Sequence, residues 1–168
     1  MTPPRWTSGT AHLTDDELLA EFERATLPEE LFGHADHVRL AWIYLGRLPL
    51  LEAIRVCSEG LARFAAASGA PGRYHATVTW AFLVLVSERI ERDGGGATWS
   101  EFAARNPDLL RFREGALFER YDPSILECEI ARRTFVLPGP RPGAACRPEP
   151  SAGAEARTSV ETAGETRA

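Results

Sequence analysis

The chain has 168 residues, 44% of them hydrophobic and 26% charged, and carries a formal net charge of -5. That is enough apolar material for one core and one domain, and too little positive charge for a phosphate-neutralising surface, so nucleic acid is not an expected partner. Its 19 basic residues are all arginine, which excludes a lysine Schiff base and a phosphate-loop lysine.

The opening "MTPPRWTSGTAHLTDDELL" lacks the apolar core of a secretory signal, and no apolar run is long enough to span a bilayer. A cytoplasmic protein with no membrane partner is expected, with residues 1–13 as a flexible N-terminus. His12 falls in this polar segment and reads as a surface residue. Thr14, followed by Asp15, Asp16 and Glu17, carries N-cap and capping-box chemistry, and Leu18, Leu19, Phe22 and Thr26 form the stripe of a first helix. Pro28 interrupts it. A second helix follows from the segment "FGHADHVRLAWIYLG", and Gly46 and Pro49 end it. "LLEAIRVCSEGLARFAAA" has helical spacing at Leu50, Ile54, Cys57, Leu61 and Phe64. "SGAPGRY" is a turn by composition, and His75 to Arg92 reads as a fourth helix, closed by "DGGG". Thr98 or Ser100 caps a shorter fifth, and Pro123 to Arg133 is the best helix in what remains. From Gly139 the chain has almost no large apolar residue and reads as a disordered tail over 139–168. The expected fold is all-α, a single antiparallel helical bundle over residues 14–138. Cys57, Cys128 and Cys146 are scattered and form no CxxC, so neither a disulfide framework nor a zinc knuckle is indicated.

The residues that suggest chemistry are histidines. Positions three and four apart share a helix face, which places His34 and His37 on the stripe of Val38, Ala41 and Tyr44. His75 opens the corresponding stripe of the fourth helix, with Val78, Thr79 and Phe82. If the two helix starts pack side by side, three neutral imidazoles meet, and three nitrogen ligands with an open position are the usual form of a reactive metal site. Glu23, at the border of the first helix's apolar stripe, is the expected fourth ligand or general base. Asp36 points off the histidine face and suits a helix N-terminal role. Arg39, Tyr74 and Thr79 flank the histidines and are expected to position substrate or donate protons. Trp42 and Trp80 are expected in the core.

The order Phe22-Glu23, Phe32, His34, His37, Tyr74-His75, Thr77, Thr79, Asn106-Pro107-Asp108-Leu109, Arg120-Tyr121 and Val136-Leu137-Pro138 resembles an uncharacterised family of small bacterial helical proteins. The resemblance covers roughly residues 14 to 138 and implies that Glu23, His34, His37 and His75 belong together. Where that family often has a glycine two residues after the Phe-Glu pair, this chain has Ala25.

The expected function is that of a metal-dependent enzyme acting on a small organic molecule. Its cofactor would be a divalent transition metal (Fe, Mn, Cu or Zn). A redox metal would support oxygenase or oxidase chemistry, and zinc would support hydrolase, lyase or isomerase chemistry. Two alternatives of another class are a binding or interaction module with structural histidines and a metal-storage or sensing protein.

Overall fold

The computed structural model describes residues 8–139, and within them every regular element is a helix. In chain order these are α1 (Asp15–Glu23), α2 (His34–Leu45), α3 (Leu50–Ala67), α4 (Ala76–Asp93), α5 (Trp99–Arg105), α6 (Pro123–Glu127) and α7 (Glu129–Arg133), with short 3-10 turns at Glu29–Leu31 and Pro71–Arg73. The expected tail over 139–168, with Cys146, lies outside the described residues apart from Gly139.

Local chemistry sets the helix ends. The Thr14 hydroxyl accepts the Glu17 N–H at 3.2 Å while the Glu17 carboxylate accepts the Thr14 N–H at 2.8 Å, a reciprocal cap that satisfies donors the first helical turn leaves unpaired. At the other end of α1 the Thr26 N–H reaches the Glu21 carbonyl at 3.0 Å and the Ala25 N–H reaches the Phe22 carbonyl at 2.9 Å. This double closure needs a left-handed residue after the cap, and Ala25 supplies it at φ 54. A β-carbon makes that conformation costly.

Helices α2, α3 and α4 pack on one another, α1 lies over α2 and α3, and α7 returns onto α4. Phe22, Leu18, Leu40, Leu83, Phe102, Leu109, Leu117 and Ile125 are fully buried, each contributing about 1.5–3 kcal/mol of hydrophobic stabilisation. The Phe22 ring is the hub between α1 and the bundle, with ring centroids 5.6 Å from Phe32, 6.5 Å from Tyr44 and 6.3 Å from Phe64. It lies so close to α3 that a β-carbon at Gly60 would come within 2.5 Å of it, so only glycine fits.

Several expectations need correction. Residues 8–13 are held against α2: Thr10 is fully buried, and its hydroxyl and that of Ser8 both donate to the buried Asp36 carboxylate. The fourth helix begins at Ala76, with His75 as its N-cap. The helix expected from Pro123 to Arg133 is broken at Cys128, whose ψ of 135 is extended. The break deprives the Leu126 carbonyl of its partner four residues on and leaves it available to another element. Trp80 lies at the surface, 36% exposed and stacked on Phe135, whereas Trp42 packs against the core and donates its indole N–H to the Gly95 carbonyl at 2.7 Å. No helix among the described residues is long and apolar enough to cross a membrane.

Candidate functional site

The starts of α2 and α4 both line a cavity of about 840 Å³, which α3, the irregular segment 106–121 and the α6–α7 region complete. That volume suits a drug-sized organic molecule. His34, His37 and His75 all line it, as do Tyr74 and Thr79. Much of the remaining wall is aromatic, from Phe32, Phe64, Phe82, Phe112 and Phe118.

The three imidazoles differ in what holds them. His34 places Nε2 2.9 Å from the Leu109 carbonyl and His37 places Nδ1 2.7 Å from the Gly33 carbonyl. A carbonyl only accepts, so the proton sits on that nitrogen in each ring and the other nitrogen carries a lone pair. Neither second nitrogen, Nδ1 of His34 or Nε2 of His37, has a protein partner among the described residues. His75 is saturated: its Nδ1 accepts the Val78 N–H at 3.3 Å as helix cap, and its Nε2–H donates to the Leu126 carbonyl at 2.8 Å.

Burial keeps all three neutral. It pushes the His34 imidazole down to about 4, against the Leu109 hydrogen bond, which works the other way. Burial likewise lowers His37, despite the opposing Gly33 bond and nearby Asp36 carboxylate, and lowers His75. Ring contacts fix the two α2 histidines, with His37 4.2 Å from Phe32 and His34 4.8 Å and 5.2 Å from Phe82 and Phe112 between ring centroids. Asp36 adds a backbone anchor by accepting the Gly33 N–H at 3.0 Å. One residue thus ties the N-terminal strap, the helix start and the carbonyl that orients His37.

Two of the expected site residues lie elsewhere. Arg39 is buried away from the cavity wall, because its guanidinium is engaged by Asp15 at 2.6 Å and by the carbonyls of Thr10 and Leu13. Glu23 is exposed near the end of α1, where it accepts from the Tyr44 hydroxyl at 3.3 Å, and it does not line the cavity. Among the described residues no group of three or more His, Cys, Asp or Glu side chains is placed to hold a metal ion. The set His34, His37, His75 and Glu23 therefore does not fit one ion in this arrangement: His75 has no spare nitrogen and Glu23 faces another way.

The residues that sequence reading missed come mainly from the irregular segment. Phe112, Arg113 and Phe118 line the cavity beside His34; the only local signal was an aromatic flanked by arginines in "LRFRE". Cys57 also lines the wall, and burial pushes its thiol up to about 12, so it stays protonated and unreactive. Comparison of the chain with known protein families, curated proteins and solved structures finds no match.

Proposed function

We propose that the cavity is the active site of an enzyme acting on a small organic molecule, with His34 and His37 as its proton-handling pair. The observation that carries this reading is the half-satisfied state of both rings. Each is anchored through one nitrogen to a backbone carbonyl and keeps the other as an unpartnered acceptor in the wall of an apolar cavity. A neutral imidazole so placed can accept a proton from an O–H, N–H or activated C–H of a bound molecule and return it, the requirement of general acid–base catalysis. The hydroxyls of Tyr74 and Thr79 line the same cavity and have no side-chain partner among the described residues; they position the substrate's polar groups. The reactions this supports are isomerisation, elimination or hydrolysis. The cytoplasm is the proposed setting, in keeping with the buried, unpaired thiol of Cys57.

A metal-dependent version is the second reading, favoured by one observation. An imidazole that donates one N–H to a carbonyl and offers the other nitrogen is the usual arrangement of a ligating histidine. His34 and His37 would hold a divalent Fe, Mn, Cu or Zn ion, which when bound supplies Lewis acidity or oxygen chemistry. His75 would join only by giving up its cap or its Leu126 bond, and Glu23 only by moving across α1.

One experiment tests both readings and the non-catalytic alternative. Wild type and His37→Ala are incubated with a bacterial small-molecule extract, with and without added Fe, Mn, Cu or Zn, and the extract is profiled by mass spectrometry. At least one species consumed by wild type and spared by the variant is the expected result. Consumption only with added metal selects the second reading, while bound but unchanged species, or none affected, would sink the enzyme reading in favour of a binding module.

A further inference from the structure

The same cavity carries information about what it takes, and the inference rests on the reading of it as a small-molecule site. Besides the imidazoles, the part of its lining that comes from α2, α3 and α4 is largely apolar, and its cationic side chains are Arg73, Arg113 and Arg132. The wall around His34 is a cluster of rings. Phe82 and Phe112 lie nearly parallel, 6.3 Å apart between centroids, and Phe118 meets Phe112 edge-on at 5.8 Å. Such walls favour flat aromatic guests through offset and edge contacts.

Charge is found in the exposed parts of the lining. Arg73 is paired with Glu29, and Arg132 donates one nitrogen to the Gly72 carbonyl at 3.0 Å. Arg113 is exposed and has neither ion pair nor hydrogen bond among the described residues. It follows directly on Phe112, whose ring stands over His34. Glu127 also lines the cavity and opposes the positive charge, yet with Arg73 neutralised two guanidinium groups face that one carboxylate. A guanidinium presents a planar fork of donors that matches an anionic oxygen pair.

We infer that the cavity binds an aromatic acid: a flat ring body among Phe82, Phe112 and Phe118, with one anionic group held by Arg113. The ring's polar substituents then fall to the acceptor nitrogens of His34 and His37. Neutral aromatics fit the walls but leave Arg113 without a partner.

Two fluorescent probes that differ only in the anionic group test this: 1-anilinonaphthalene-8-sulfonate and its uncharged parent N-phenyl-1-naphthylamine. Each is titrated into wild type, Arg113→Gln and Arg111→Gln. Arg111 is exposed and does not line the cavity, so its variant makes the same change in net charge outside the site. The expected result is one saturable site per chain in wild type, with the sulfonate bound about fivefold tighter than the parent, the scale of one partly exposed charged contact. Arg113→Gln brings the two probes to parity, and Arg111→Gln leaves the difference in place. Equal affinity of the two probes in wild type, or an equal effect of both substitutions, overturns the aromatic-acid inference and leaves the small-molecule site standing. Absence of saturable one-to-one binding of either probe removes the site itself.

Discussion

Two helix starts, those of α2 and α4, present histidines to one cavity, and they solve the same local problem differently. At α4, His75 is the cap: its ring accepts a helical N–H and donates to a carbonyl made available by the break at Cys128. Nothing of its hydrogen-bonding capacity is left. At α2 the capping is done by Asp36 on Gly33, so His34 and His37 are released from that duty and each retains an acceptor. Proximity to a cavity is therefore a poor guide to function for a histidine, and its count of unused nitrogens is a better one. A buried polar group with both valences satisfied is structural by its energetics.

The contrast can be broken most directly by exchanging the two kinds of histidine. His37→Ala is expected to reduce consumption of substrate by a hundredfold or more, the usual scale for a lost acid–base group, with little change in the urea midpoint. An activity within threefold of wild type would assign His37 to packing.

Acid exposes the α2 pair next. The folded-state value of His34, about 4, lies below its ordinary 6.5, so its neutral form is favoured by folding. The corresponding stability is present above pH 6.5 and is lost as pH falls from 6.5 toward 4, by up to about 3 kcal/mol; His37 adds a loss of the same sign. Urea melts between pH 7 and pH 4 in chelator should show this decline, and His34→Gln should flatten it. An identical pH slope in that variant would place the protons elsewhere.

At α4 the expectation reverses. His75→Ala removes a cap and leaves the Leu126 carbonyl unpaired, at a cost of about 2–3 kcal/mol in urea unfolding, and His75→Asn restores part of it because asparagine also caps. A His75→Ala protein as stable as wild type would make the saturated ring dispensable and erase the distinction between the two helix starts.

The smallest effects come from α1, outside both. Ala25→Gly should stabilise by about 0.5–1 kcal/mol by relieving a β-carbon at φ 54, measured as a higher urea midpoint. Glu23→Gln should change stability by no more than about 0.5 kcal/mol and leave consumption of substrate unaltered, since its one side-chain hydrogen bond, from the Tyr44 hydroxyl, is one that a glutamine oxygen also accepts. A large activity loss in Glu23→Gln would return that carboxylate to the site.

Much of the fold was legible in the chain. The Thr14 and Thr98 caps, the glycine and proline breaks and the apolar spacing of α2, α3 and α4 are local signals, and they appear where those residues predict them. The inward side of His34 and His37 was legible for the same reason, because a helix face is fixed by spacing alone, whereas His75 caps α4 from outside with an extended backbone. The fates of Arg39 and Glu23 were not. Arg39 lies on the same helix as the histidines, yet a partner from another helix, Asp15, draws its guanidinium to a buried ion pair away from the cavity. Glu23 sits next to the buried Phe22, but the turn set by Ala25 follows at once and leaves the carboxylate in solvent.

The apolar faces and most of the helical segments follow from neighbours within a turn or two, and the absence of lysine excludes its chemistry at any fold; the break at Cys128 was not local in this sense. Which histidine nitrogens keep an unused lone pair is set by long-range packing. That depends on carbonyls 75 residues away for His34 and 51 away for His75, and no local pattern encodes where a distant backbone oxygen will come to rest.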